Sequence, residues 1–332
     1  MSQLADTALS VLDLAPIREG GSAGETFDNC VTLAQHAERL GYTRYWLAEH
    51  HNIAGIASAA TSVLIGHVAG HTSTIRVGSG GIMLPNHPPL VIAEQFGTLE
   101  TLYPGRIDLG LGRAPGSDGA TMRAMRRSAH AGVDDFPAQL EELTRYLGDE
   151  TPDQQVKAVP GQGTHVPLWL LGSSGYSAQL AARLGLPFAF AAQFAPGYLH
   201  EALRLYRDNF RPSSVLSRPY AMVGLPVIAA ESDAMARYLA TTAQQKFLNL
   251  IRGRPTQSRP PVETLDWTPM EQAQVGQFLG AAIIGGPETV KAELEAFQAR
   301  TGADELMLNS DFYSQEDRLR SYEIVASVTG RS

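Results

Sequence analysis

The sequence predicts a (β/α)8 TIM barrel with insertions, from three observations. Eight short aliphatic or β-branched segments recur along the chain, and most are followed by apolar residues at helical spacing, as parallel strands joined by crossover helices require. One stretch, Ile75 to Asp118, reads as a complete strand, helix and second strand. The 332 residues, 44% hydrophobic and 18% charged, suffice for one such barrel as a single domain spanning 1–332, with no disulfide or metal needed to hold its core.

Leu9 to Leu14 is the first strand, ending at Pro16. After a loop with Gly20, Gly21 and Gly24, the residues Phe27, Cys30, Val31, Ala34 and Ala37 keep helical period until Gly41 ends the helix. Arg44 to Ala48 is the second strand, with Glu49, His50, His51 and Asn52 at its C-terminal end, and a helix runs from about Ser58 to Gly70. Ile75 to Leu84 is the third strand, interrupted by Gly78, Gly80 and Gly81, which mark a bulge or a close approach. Pro88 and Pro89 suit the first turn of the next helix. There Ile92, Phe96, Leu99 and Tyr103 share one face, and Pro104 and Gly105 stop it. Ile107, Leu109 and Leu111 alternate with Asp108, Gly110 and Gly112 as the fourth strand.

Beyond Arg113 the pattern loosens into an insertion of about 114–134, with a basic cluster at Arg123, Arg126 and Arg127 that reads first as a solvated face. Helical period resumes from Phe136 to Leu147. Val166 to Leu171, Phe188 to Ala192 and Met222 to Ala229 are strands five to seven, with helices over Ser177 to Leu184 and Tyr198 to Phe210. From about 240 to 286 the alternation is lost, and within this second insertion Arg252 to Gly286 is expected to form a lid. Pro287 to Thr301 is a helix, Glu305 to Leu308 the eighth strand, and a last helix starts near Glu316.

Composition narrows the function. A net charge of -8 and a pI near 5.6, without a lysine or arginine stripe, argue against nucleic-acid and polybasic membrane partners. Cys30 is the single cysteine, so no internal disulfide or thiolate zinc cluster can form; its apolar neighbours make it a core residue. No segment approaches the roughly 20 apolar residues a bilayer crossing takes, and the N-terminus lacks a signal-peptide pattern, so a cytoplasmic protein is expected.

Barrel active sites gather at the C-terminal ends of the strands. Glu49 to Asn52, Asn86 and His87, Arg113, Ser173 to Ser177 and the region of Asp311 should therefore face one mouth. Between strand and helix, Ser173, Ser174, Gly175, Tyr176 and Ser177 can offer backbone N–H groups, hydroxyls and a helix dipole to an anion, with Arg113 supplying the charge. An ordinary N-cap is the alternative, and phosphate sites of such barrels more commonly follow strands seven and eight. His50 and His51 are adjacent on extended chain, so one should face the mouth and the other the wall; a mouth histidine suits proton transfer near neutral pH. His67 and His71 have i,i+4 spacing but belong to an outer helix, and are read as surface or packing residues, so no metal is expected.

Taken together, the segments WLAEHHN, VGSGGIMLPNHPPLVIAEQF, PGRIDLGLGRAPGSD, LLGSSGYSAQLAARLGLP and GGPETV, in that order from about Leu9 to Leu308, resemble the bacterial luciferase-like flavin-dependent monooxygenases. The resemblance implies FMN as cofactor, reduced by a separate NAD(P)H-dependent flavin reductase and reacting with O2 to a C4a-hydroperoxide that oxygenates a small or medium organic substrate. It implies that Arg113, Ser173, Ser174 and Ser177 hold the FMN phosphate, helped by backbone N–H groups of Gly175 and Tyr176. Gly80 and Gly81 would form a non-prolyl cis peptide beneath the flavin ring, and His50 would be the acid/base or hydrogen-bonding residue. A homodimer is also implied. Gly112 stands where the light-emitting members carry a reactive cysteine, and Ser173 replaces their acidic residue, so the likeness is to the non-luminescent, alkanal-monooxygenase-like members. Two alternatives stand beside this reading: an F420-dependent hydride-transfer enzyme on the same barrel and a non-catalytic flavin-binding protein.

Overall fold

In the computed structural model, which describes residues 3–114, 119–125 and 135–331, parallel strands close into a barrel wrapped by helices. A short helix α1 (Gln3–Asp6) precedes β1 (Ala8–Asp13), and the chain continues through α2 (Ala23–Arg39), β2 (Arg44–Leu47), α3 (Thr61–Gly70) and β3 (Arg76–Met83). A 3-10 turn, Leu84–Asn86, leads to α4 (Pro89–Leu102), β4 (Ile107–Gly112), α5 (Gly119–Ala124) and α6 (Phe136–Leu147). Then come β5 (Leu168–Gly172), α7 (Gly175–Leu184), β6 (Phe188–Ala191), α8 (Leu199–Asp208) and β7 (Ala221–Ala229). The last part holds α9 (Asp233–Ile251), α10 (Pro269–Phe278), β8 (Ile283–Gly285), α11 (Pro287–Thr301), β9 (Glu305–Asn309) and α12 (Gln315–Val328).

β1 to β7 pair in sequence order, β7 pairs with β9, and β9 closes onto β1. These eight staves are the eight strands expected. The three residues of β8 form an extra strand beside the C-terminal end of β7.

The second insertion needs correcting. It is not a continuous loop from 240: α9 runs on to Ile251, and α10 and β8 interrupt the remainder. The buried stripe of α9 is largely alanine and threonine, Ala236, Ala240, Thr241 and Ala243, so its helical period is faint in hydrophobicity. The start of α10 carries a capping box, with Thr268 accepting the Glu271 N–H and Glu271 reaching back to the N-cap. Residues 252–268 do lie against the loops at the mouth. Ser258 N–H donates to the Ile17 carbonyl (3.1 Å), Glu19 N–H donates to the Ser258 carbonyl (2.8 Å), and Ser258 Oγ donates to Asp311 (3.0 Å).

Strand periodicity layers the barrel interior. At the N-terminal end sits a charged layer. Arg44 donates to Glu305 (3.0 Å) and Asp108 (2.7 Å), Arg76 pairs with Asp108 (2.6 Å), and the Trp46 indole (3.1 Å) also reaches Asp108. Tyr220 (2.9 Å) and Ser10 donate to Glu305. Both carboxylates are fully buried, and this many donors offset their loss of water. One layer up, Leu12, Trp46, Ala48, Trp169, Ala189, Met222 and Met307 pack as an apolar plug, with the two indoles edge to face at 5.2 Å. The plug closes the barrel floor, so a ligand can enter only from the C-terminal mouth. The Cys30 thiol lies in the outer core, and burial pushes its pKa well up.

Candidate functional site

At the end of β3, the Gly80–Gly81 peptide is cis, and the β3–β4 register jumps between Ser79 and Ile82. A Cβ on Gly80 would lie 2.7 Å from Leu12 Cδ1, and one on Gly81 2.6 Å from the Gly110 carbonyl oxygen. The backbone contact demands glycine at 81, whereas a side chain at 80 would have to displace the end of Leu12. A Cβ on Gly112 would lie 2.8 Å from Met83 Sδ, so that methionine fills the space a cysteine there would take.

The pairing Gly112↔Leu171 sets the end of β4 beside the end of β5, which delivers Arg113 to the start of α7. Its guanidinium lies over the Tyr176 ring, 4.0 Å from the centroid, and forms no ion pair with a carboxylate among the described residues. Ser173 and Ser174 are exposed, while Gly175 and Ser177 are buried. Ser174 is the N-cap of α7, yet its side chain makes no capping bond; Ser22, Ser232, Thr268 and Ser314 do cap their helices. Among the described residues, no side chain caps the opening N–H groups of α7, so they can serve a ligand. Sequence reasoning foresaw this grouping of Arg113 with Ser173 to Ser177.

The adjacent histidines part as expected. His51 Nε2 turns to Glu49 Oε1 (2.8 Å), a carboxylate 1% exposed in the wall between the ends of β2 and β3. The half-buried His50 follows the inward series Arg44, Trp46, Ala48. Burial first, then the charge of Lys246, holds the His50 pKa below the ordinary histidine value, with Glu49 pulling the other way. Below that ordinary value the unfolded chain binds the proton more readily than the folded one, so the stability His50 contributes is present above about 6.5 and falls away with pH toward its depressed folded pKa. Near neutrality His50 is an uncharged imidazole, able to accept or donate.

Several mouth residues were not foreseen as a group. Lys246, on α9, pairs with Asp311 (2.7 Å) just beyond β9; it lies in the stretch read as loop, which hid it. With Leu12, Leu14 and Asn309, this pair lines a small cavity at the mouth. The side-chain carbonyl oxygens of Gln193 and Asn309 are buried with no hydrogen-bond partner among the described residues, as groups awaiting a ligand donor would be. His87 does not line the open mouth as expected, because its Nε2 also bonds Glu49 (2.9 Å). Farther round the rim, the carboxylate of Asp233, at the start of α9, accepts the N–H of Gly286, the N-cap of α11 (2.7 Å), and this bond lowers its pKa.

His67, on α3, and His71, its C-cap, are exposed, their rings 4.7 Å apart. No cluster of three or more His, Cys, Asp or Glu that could hold a metal occurs among the described residues. Arg123 is exposed; Arg126, Arg127 and most of the insertion 114–134 lie outside the described residues. Among the described residues no helix is long and apolar enough to cross a membrane.

Comparison with known proteins agrees with this architecture. The Bacillus subtilis (strain 168) protein YvbT is 60% identical over 330 residues, covering 98% of each chain. A protein of Escherichia coli (strain K12) named luciferase-like monooxygenase is 55% identical over 323 residues, covering 97% of this chain and 96% of that one. The crystal structure of apo-MsnO8 superposes with a TM-score of 0.90 at 35% identity, covering 98% of this chain and 99% of the other. The family profile described as luciferase-like monooxygenase matches residues 7–305, and the chain belongs to that family.

Proposed function

We propose that this protein is an FMNH2-dependent monooxygenase that uses O2 to oxygenate a small or medium organic substrate and receives its reduced flavin from a separate reductase. The observation that carries the reading is the seat formed by Arg113 on Tyr176 and the start of α7. It presents a cation that has no carboxylate partner among the described residues, with hydroxyls and helix N–H groups, at the position where family members of this barrel would hold a phosphate. Gly80 and Gly81 would lie under the flavin ring, and the unpaired oxygens of Gln193 and Asn309 suit the N–H groups of a flavin or a substrate. Bound reduced flavin supplies the electrons that activate dioxygen. The chain's residues grip the phosphate, exclude water through the apolar plug, and offer His50 as a neutral proton acceptor or donor beside the reacting atoms.

Anaerobic titration tests this directly. Reduced FMN should bind, more tightly than oxidised FMN, and bound flavin should slow proteolysis within Arg252 to Gly286, the segment expected to form a lid. Binding of F420 with neither form of FMN would replace the reading by hydride transfer, and binding of none of them would end it. His50→Ala should leave flavin affinity nearly unchanged while product formed per FMNH2 oxidised falls roughly tenfold or more, with peroxide released instead. Unaltered coupling would remove His50 from the chemistry. The homodimer also remains part of this proposal, and sedimentation of the purified protein measures it.

A further inference from the structure

One carboxylate in the wall of the mouth is bonded more densely than the fold requires. Glu49 Oε1 accepts from His51 Nε2 at 2.8 Å, His87 Nε2 at 2.9 Å and Asn86 Nδ2 at 3.3 Å, while Oε2 accepts the backbone N–H of Met83 at 2.9 Å. Its side chain is 1% exposed. Burial would raise its pKa, but the bonds from His87, His51 and Met83 outweigh that, and the carboxyl titrates below its ordinary value. Near neutral pH Glu49 is thus a carboxylate, and each imidazole that bonds it donates from Nε2.

Each donor comes from one of two segments. His51 continues the end of β2, directly after His50. Met83 is the last residue of β3, two after Gly81, and Asn86 and His87 follow it. A strand pair needs no such bolt for its own sake, since β2 and β3 are already joined from Arg44↔Arg76 to Leu47↔Ser79. The carboxylate joins the chain beyond those ladders, where the backbone leaves the sheet to form the mouth.

We infer that Glu49 is the positioning residue of this site, a buried carboxylate that fixes His50 relative to the Gly80–Gly81 segment by tying the ends of β2 and β3 together. The inference rests on the roles proposed above for His50 and the glycines. Glu49 touches neither ligand nor reacting atoms; it acts through its neighbours. The same charge also reaches His50. The groups that act on that imidazole are Lys246 from α9, with its partner Asp311, and His51 and Glu49 from its own segment. Of these Glu49 favours the protonated ring, while Lys246 and His51 disfavour it.

This gives a readout whose sign separates positioning from loss of charge alone. In Glu49→Gln one acceptor oxygen becomes an NH2 donor, so either Met83 N–H or the imidazole pair loses its acceptor and the negative charge disappears. If the loop ends keep their places without the tie, His50 loses only its one favourable charge and its titration midpoint moves down. If the tie is what holds them, the wall loosens, water reaches His50 and the midpoint rises toward the ordinary value.

The experiment is NMR titration of the histidine ring carbons in flavin-free protein, with His50 assigned by the signal missing in His50→Gln. It is followed by reduced-FMN titration of the same variants. An upward shift in Glu49→Gln, together with a roughly tenfold loss of FMN affinity that His50→Gln does not share, supports the inference. A midpoint unmoved or lowered overturns it, as does unchanged FMN affinity. Should Glu49→Gln not fold, Glu49→Asp keeps the charge but shortens the reach. It should likewise raise the His50 midpoint while FMN affinity falls, and unchanged affinity there overturns the inference too. If the unmodified protein binds no FMN, the functional reading fails, and the titration of His50 alone decides the role of Glu49.

Discussion

Replacing Arg318 by methionine should lower the stability of the folded protein by about 3–5 kcal/mol, the largest single-site loss expected here. Arg318 is 4% exposed and its guanidinium donates to Asp13 Oδ1 (2.8 Å) and to the Ser310 carbonyl (3.1 Å). Asp13, at the end of β1, is fully buried and also accepts from the Tyr45 hydroxyl and the Ala15 N–H (2.8 Å). Burial would raise the Asp13 pKa, but Arg318, Tyr45 and Ala15 together pull it below the ordinary carboxylate value. Without Arg318 the carboxylate keeps its desolvation cost and loses its main compensation.

The pH dependence follows from the sign of that shift. The folded pKa is depressed, so the stabilisation is complete above the ordinary value of about 4 and is lost as pH falls through the depressed folded value. In Arg318→Met the deficit should be full at pH 7 and shrink on acidification, because a protonated Asp13 no longer needs the arginine. Urea denaturation at pH 7 and near pH 4 measures both. Asp13→Leu combined with Arg318→Met should recover much of the loss, since an apolar pair can replace a buried ion pair at little cost. A deficit under 1 kcal/mol at pH 7 would show that the pair is not what holds α12 to β1.

Arg113→Ala should weaken FMN binding by about 1.5–3 kcal/mol, the scale of a hydrogen bond to a charged group, or roughly ten- to more than a hundredfold in Kd. Its placement over Tyr176 makes the assignment testable beyond simple loss of affinity. Arg113→Lys keeps a positive charge but loses the planar stack and the fork, so it should fall between the parent and Arg113→Ala. Riboflavin, which lacks the phosphate, should bind the parent and Arg113→Ala alike. Equal weakening toward riboflavin would move Arg113 away from the phosphate and into a general role in shaping the mouth.

The staves of the barrel are legible because each is a short apolar run beside a helix with a clear polar and apolar face, as in Phe136 to Leu147. Where that contrast fades the reading faded with it: α9 buries alanines and threonines, and the extra strand β8 is three residues long. The grouping of Arg113 with Ser173 to Ser177 was visible because neighbouring parallel strands bring their C-terminal ends together. Lys246 and Asp311 could not be paired from the chain, since 65 positions separate them. Nor could the role of Glu49, whose partners span β2 and β3. The glycines of β3 carried two messages at once. Their cis peptide fits the resemblance, yet the Gly110 backbone alone already excludes a side chain at Gly81.

The bond between Asp233 and the N–H of Gly286 bears on how an anionic ligand must lie. Barrels of this kind commonly receive a phosphate near the ends of strands seven and eight, and here the chain has filled a helix start in that quarter with a carboxylate of its own. A phosphate ester reaching the rim would meet a carboxylate of like charge on one side and, on the other, the start of α7 beside Arg113. On the function proposed above, this difference would orient a long cofactor with its charged tail beside β5.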